Sequence, residues 1–465
     1  MANDVRVAVL GIDCGTPQIL FDDLKAEVPN IAALMERSMY GPLASITPPI
    51  TVPAWACSMT GKTPGQLGIY GFRNRKDNTY DGLSIATAGA VTEPTVWDRL
   101  GDAGKKSLLI GVPPSYPPLP IEGWRVGCFL TPPSAPKIAS PDSIQGEIEE
   151  VLGPDEPYIF DIPNFRQAGM ERVMKDVFDM TTRRFKVARH LMQTKPWDYM
   201  MLCEIASDRL HHVFWEYYDP EHPKYVAGNE FEGMFQKYYK VLDHEVGTIL
   251  DLLPDDCITM IMSDHGARAM KGGLCFNDWL IQENYLTLAD PVSEPTPISK
   301  VNIDWSKTVA WGDGGYYGRC FLNVAGREPN GIVDPNDYEA KRDELAAALE
   351  AAPGPDGQPL GTKVFKPQDV YPDVRGVAPD LIVYFGDLDW RSVGSVGNPS
   401  IYTYENDTGP DGANHDRTGV FMMSGLPNQP LGYTEGMRLI DVGPTICDIY
   451  GLDPLEGAQG RSMLQ

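Results

Sequence analysis

The chain has 465 residues, of which 42% are hydrophobic and 22% charged, ordinary proportions for a folded globular protein. Its net charge of −25 argues against nucleic acid as a ligand, because a phosphate backbone needs a basic surface. A small phosphate ester remains compatible, since bound metal ions can reverse the local field.

The first residues read as running straight into an apolar strand, so no secretory leader is expected, and no apolar run reaches the length of about 18 residues that suggests a membrane span. The eight cysteines (14, 57, 128, 203, 257, 275, 320 and 447) are scattered without a C-x-x-C pair. The expectation is a cytoplasmic protein with reduced, mostly buried thiols, no disulfide frame, no zinc knuckle and no membrane partner.

Residues 5–12 read as a buried parallel strand that ends in Asp13, at the edge where open α/β sheets build their sites. Residues 29–38 carry helical periodicity through Ile31, Leu34 and Met35. Thr51 stands among Pro48, Pro49 and Pro53, which predicts a stiff extended turn ahead of a short helix over 54–60. A hydroxyl there meets free N–H groups and a positive dipole end, a setting for phosphate; the alternative is a simple N-cap. Residues 68–76 form a basic, glycine-punctuated loop that suits a phosphate or its attached group, or a solvated turn. A helix over 95–103 and a strand over 107–112 follow. The prolines of 113–120 then open a section that reads as irregular to residue 164, ahead of a long helix over 167–194.

The next strand covers 199–206, with Asp208 and His212 four residues apart just beyond it. On the first turn of a helix capped by Ser207, that spacing puts a carboxylate and an imidazole on one face, able to grip one metal; Asp208 with His211 is the alternative. After a helix over 231–253, the strand 257–262 runs into Ser263-Asp264-His265-Gly266, where the glycine permits a sharp turn. Residues 267–375 are rich in glycine and proline and read as an inserted subdomain with strand character over 310–324 and a helix over 338–351. Late strands lie at 381–385 and 420–423, with His415 in a polar loop, 414–419, between them; an amphipathic helix over 437–450 closes the chain.

Asp13, Asp208 and Asp264, with His212, His265 and His415 and the Thr51 hydroxyl, make a ligand inventory for two divalent metals. Mixed N/O donors without thiolate suit catalytic zinc, with manganese as the alternative. Two such ions about 3.5–4 Å apart can clamp the attacking and leaving oxygens of an in-line phosphoryl displacement. Coordination would also lower the pKa of Thr51 and make it a nucleophile. The other histidines, 190, 211, 222 and 244, read as structural or surface residues.

The ordered motifs Gly11-Ile12-Asp13, Pro49-Ile50-Thr51-Val52-Pro53-Ala54-Trp55, Asp208-Arg209-Leu210-His211-His212, Ser263-Asp264-His265-Gly266 and Asn414-His415 resemble the alkaline phosphatase superfamily. Within it they are most similar to the type I phosphodiesterase/nucleotide pyrophosphatase group, in particular its bacterial phosphohydrolase/phosphomutase-like proteins. Val112-Pro113-Pro114 and Ala378-Pro379-Asp380 are secondary matches. The resemblance implies one metal on Asp13, Thr51, Asp264 and His265, and a second on Asp208, His212 and His415. It implies attack by Thr51 on phosphorus, a phospho-threonine, and its hydrolysis by water on the second metal. Relatives that cleave nucleotides often carry His-Gly-Ile and then an oxyanion-binding asparagine. Here Leu67 replaces the histidine and Gly71-Phe72 stand near the asparagine's place, so Arg73, Asn74 or Lys62 is expected to contact the substrate instead.

The expected fold is therefore an α/β three-layer α/β/α sandwich with a mostly parallel sheet, one catalytic domain over 1–465. Segments 114–165 and 267–375 are expected to form a cap that selects the leaving group. The expected activity is hydrolysis of a small phosphate ester, with diesters slightly favoured over monoesters because no dedicated cluster for a dianionic phosphate is visible. A phosphomutase or phosphoryl transferase would yield an isomer instead of free alcohol and phosphate. A non-catalytic metal- or phosphate-binding protein would need no hydroxyl among its ligands.

Overall fold

The structure is a computed structural model that describes residues 5–406, 408–427 and 429–464. Strand Val7–Ile12 lies in the middle of a ten-stranded sheet, with Ile258–Met262 on one side and Tyr199–Glu204, Ser107–Ile110 and Gly123–Val126 in succession on the other. These five strands are mutually parallel. Val7, Ala8, Val9, Leu10 and Ile12 are at most 1% exposed, as a strand covered on both faces requires. Strand Thr418–Ser424 is antiparallel to Ile258–Met262 and carries Met39–Ala44 and the short Gly432–Tyr433 and Met437–Arg438 beyond it.

Helices cover both faces. Alternate residues of Tyr199–Glu204 point opposite ways. Tyr199 meets Met59 of helix Thr51–Thr60, and Glu204 meets Arg184 of helix Met170–Thr194. A second apolar cluster, running from Leu274 to Val396, belongs to a separate antiparallel sheet of Ala310–Asp313, Gly318–Leu322, Leu381–Tyr384 and Lys363–Phe365. Among the described residues no helix is long and apolar enough to cross a membrane. All eight cysteines are buried, and none forms a disulfide.

Several local expectations are corrected. The section 113–164 is not irregular throughout: it supplies strands Gly123–Val126 and Ala139–Ser140 to the sheet edge, and helix Ser143–Leu152. These strands are too short to show alternation, and one carries Arg125, whose charge rests on the Trp97 ring. Strand Met39–Ala44 was hidden by Gly41 and Pro42. The proline is tolerated because Gly432–Tyr433 pairs with Met39 and Tyr40 while Met437–Arg438 pairs with Leu43 and Ala44, so Pro42 falls between two short partners. The closing helix is only Val442–Ile449, because residues before it form that short strand and a turn.

Candidate active site

Strand register brings the candidates to one edge. Ile12 stands level with Glu204 and Gly11 with Met262, so Asp13, the start of helix Ala206–Tyr218 and Ser263-Asp264-His265 leave the sheet side by side. Ser207 is not the cap; Ile205 is, and the serine hydroxyl donates to Asp13 O at 2.7 Å, tying the two strand ends together. Thr51 lies on the helix itself, not on a turn before it. The backbone is extended at Ile50 (φ −135°, ψ 129°) and helical from Thr51, and Pro53 is accepted because the first turn has N–H groups without helical partners.

His415 arrives by a different route. It sits not in the expected polar loop but on the buried strand Ala413–Asp416, antiparallel to Gly266–Ala269, with Ala267 opposite His415. Gly266 serves a close approach more than a turn: a Cβ there would lie 2.2 Å from the Thr418 carbonyl oxygen. The ribbon stacks His415 on His265 with ring centroids 3.8 Å apart.

Asp208, His212 and His415 each offer a ligand atom within 4.8 Å of the others, and Asp13, Asp264 and His265 do the same. All six side chains and Thr51 are at most 2% exposed. His212 Nε2 is 3.2 Å from Asp208 Oδ1, and His265 Nε2 is 3.2 Å from Asp264 Oδ2. Thr51 Oγ1 lies 3.1 Å from His265 Nε2. His211 turns away to Tyr239, at 2.8 Å from its hydroxyl, so the four-residue spacing is the one that faces the site.

The donor set fits two cations. One oxygen of each carboxylate (Asp13 Oδ1, Asp208 Oδ1 and Asp264 Oδ2) is buried without a hydrogen-bond partner. The imidazoles present Nε2 inward, because His265 Nδ1 donates to Gly266 O at 3.0 Å and His415 Nδ1 to Pro49 O at 2.8 Å. Electrostatics point the same way. Burial, then the charge of Asp208, pushes the Asp13 carboxyl well above the usual range, and burial and Asp13 do so for Asp264. Burial would also raise Asp208, but His212, Arg209 and His415 outweigh it and hold Asp208 well below the usual range. For His212, burial is outweighed by Asp411 and Asp208, and its pKa stands at about 9; burial takes His265 down to about 4. Asp13 and Asp264, which burial and mutual repulsion keep from ionising beside a charged Asp208, are the arrangement that a bound cation relieves.

Thr51, Asp208 and His415 line a cleft of about 1380 Å³. Its wall carries Arg73, Arg75, Arg166, Arg209, Arg319 and Arg391 together with Asp81, Asp161, Asp208, Asp313 and Glu405, and Arg75, Arg166, Arg209 and Arg319 are ion-paired. Of the three expected substrate contacts only Arg73 lines it. Lys62 is paired with Glu93 and buried, and the Asn74 amide is used in its own turn, accepting from Tyr70 N at 2.7 Å and donating to Gly71 O at 3.0 Å. The loop containing Asn74 is a hairpin of Arg73–Arg75 and Leu83–Ile85. Tyr316 and Tyr317 also face the cleft.

The sequence pattern of the type I phosphodiesterase/nucleotide pyrophosphatase family matches residues 7–411. The chain belongs to this family. It is thereby a member of the alkaline phosphatase superfamily; the family supports a phosphoric ester hydrolase and implies dependence on divalent metal. Among similar solved structures is phosphonoacetate hydrolase from Sinorhizobium meliloti in complex with phosphonoformate, at 14% identity and TM-score 0.62, with 97% of this chain and 96% of that one covered. Inactive murine ectonucleotide pyrophosphatase/phosphodiesterase 5 in complex with AMP matches at 14% identity and TM-score 0.54, with 97% and 96% covered. The human protein of that name matches at 13% and 0.53, with 99% and 97% covered. At such identities the likeness establishes the fold. A comparison with curated proteins finds no match.

In this family member the residues around the candidate ligands were for the most part not legible from sequence. Asp411 Oδ1 accepts from His212 Nδ1 at 2.9 Å. Trp55 Nε1 donates to Asp13 Oδ2 at 2.7 Å. The Tyr316 ring lies flat over His212 and His415, with centroids 4.7 and 4.1 Å away. Of these only Trp55 carried a signal, its place in the threonine motif.

Proposed function

We propose that the protein hydrolyses small phosphate esters with Thr51 as nucleophile, through a phospho-threonine. The observation that carries this reading is the position of Thr51 Oγ1. It is buried at the first residue of a helix, 3.1 Å from His265, whose ring stacks on a ligand candidate of the other cluster. Asp13, Asp264 and His265, with the Thr51 hydroxyl, would hold one divalent cation and Asp208, His212 and His415 the other; zinc suits the donors best, manganese next. Such cations supply Lewis acidity that lowers the threonine's pKa and offsets phosphoryl charge.

The chain's own groups do the rest. The Thr51 oxygen attacks phosphorus, and the bond to the leaving alcohol breaks on the opposite side. First-turn N–H groups of helix Thr51–Thr60 face the phosphoryl oxygens, where the helix dipole favours negative charge. Water then displaces Thr51 from phosphorus, so two in-line inversions give net retention. The second sheet and the hairpin Arg73–Arg75/Leu83–Ile85, which line the cleft with the nucleophile, would select the alcohol.

The test is hydrolysis of p-nitrophenyl phosphate, bis-p-nitrophenyl phosphate and a p-nitrophenyl phosphonate monoester by metal-stripped protein refilled with zinc or manganese. Turnover that requires metal and disappears in Thr51→Ala is expected. Inertness toward every ester with both cations bound would sink the hydrolase reading and point to a mutase or transferase.

A further inference from the structure

Arg209 follows Asp208 on helix Ala206–Tyr218 and lines the cleft with Thr51, Asp208 and His415. It is held on all sides. Nε and Nη2 donate to the two oxygens of Asp161 at 2.7 and 2.9 Å, and Nη1 donates to Asp208 Oδ2. The rings of Phe129 and Phe165 lie 5.4 and 4.7 Å from its guanidinium carbon. The loop before Asp161 is braced in turn by Arg184, whose Nη2 donates to the carbonyls of Ile159 and Phe160 at 3.3 and 3.2 Å.

A guanidinium has five N–H donors. These contacts take one from each nitrogen, so Nη1 and Nη2 each keep a donor for a ligand in the cleft. Because the side chain is already immobilised, binding costs little further conformational entropy. Asp208 turns its Oδ2 to Arg209 and leaves Oδ1 for the metal cluster, which sets the arginine beside the cluster of Asp208, His212 and His415, on the wall of the cleft that Thr51 also lines.

We propose that Arg209 binds the non-bridging oxygens of the phosphoryl group that Thr51 attacks, and so favours phosphate monoesters over diesters; this rests on the hydrolase reading above. The planar fork matches two oxygens of a phosphate at once. A monoester offers three non-bridging oxygens and close to two charges at neutral pH, a diester two oxygens and one charge. The preference is opposite to the sequence expectation, which had no view of Asp161, Phe129 and Phe165 converging on one side chain.

The experiment compares zinc-loaded wild type with Arg209→Met, Arg209→Lys and Asp161→Asn. It measures kcat/KM on p-nitrophenyl phosphate and bis-p-nitrophenyl phosphate, calorimetric affinity for inorganic phosphate, zinc content and Tm. Arg209→Met should lower monoester kcat/KM and phosphate affinity roughly 10- to 100-fold, the worth of a charge-assisted contact, with zinc content at the wild-type level. The diester should fall much less. Lysine should restore part of the loss, and Asp161→Asn should reproduce a smaller one in the same order.

Equal losses on both esters, or losses that track zinc content, would show that Arg209 only positions Asp208 and overturn the proposal. If Arg209→Met does not fold, the ester ratio and phosphate affinity of Asp161→Asn decide in the same way. Unchanged phosphate affinity refutes the arginine's role whether or not any ester turns over. A wild type inert to all esters refutes the parent reading instead.

Discussion

Asp411→Asn probes the proposed second ion site through a residue outside its candidate ligands. The two shortest contacts to Asp411 use one oxygen each: Oδ1 accepts from His212 Nδ1 at 2.9 Å and Oδ2 from Arg166 Nε at 2.7 Å. Asparagine keeps the shape but has one acceptor oxygen, so either the histidine or the arginine loses its partner. Removing such a carboxylate behind a metal histidine typically costs 10- to 100-fold in affinity. Two features soften the loss here. Ala413 O stands 3.1 Å from His212 Nδ1 as a substitute acceptor, and Tyr316 stacks on the imidazole at an interplanar angle of 13°. The expected effect is therefore at the low end, about tenfold or roughly 1.4 kcal/mol. Competition with a chromogenic zinc chelator should show one of two metal equivalents weakened by this factor and the other, on Asp13, Asp264 and His265, unchanged. Wild-type affinity at both equivalents, or their loss together, would refute the assignment of Asp411 to the His212 cluster.

Three further outcomes are expected. Gly11→Ala should destabilise the protein by about 1–3 kcal/mol through overpacking. Its Cβ would sit 2.5 Å from Trp55 Cη2 and 3.0 Å from the Leu202 carbonyl oxygen, and an unchanged urea midpoint would contradict this. Trp55→Phe leaves Asp13 Oδ2 without its 2.7 Å donor, a cost of about 1–3 kcal/mol, and should weaken zinc binding at the Asp13 cluster selectively. Chelation should lower Tm, and added zinc should raise it again with a concentration dependence, because ions bound only by the folded chain stabilise it by mass action and three carboxylates hold buried oxygens without partners. A calorimetric scan with and without chelator checks this, and identical transitions would rule it out.

What the amino-acid order by itself determined was the set of local geometries. A strand that is apolar on both faces and ends in an acid placed Asp13 and Asp264 at a sheet edge, and a four-residue spacing put Asp208 and His212 on one helical face. These contacts span no more than one turn or one strand, so periodicity and spacing report them.

Only the tertiary structure decided the rest. His415 joins His265 because two antiparallel strands set Ala267 opposite it, a register that no local pattern shows. Asp411 meets His212 across 199 residues and Asp161 meets Arg209 across 48, so neither pair has a sequence signature. Lys62 and Asn74 looked available for a substrate for the same reason, since the groups that occupy them become neighbours only after folding or in a turn of unusual sequence. Chemistry that depends on backbone periodicity is written along the chain. Chemistry that depends on which charges and donors neutralise one another is settled when distant segments pack and water leaves the site.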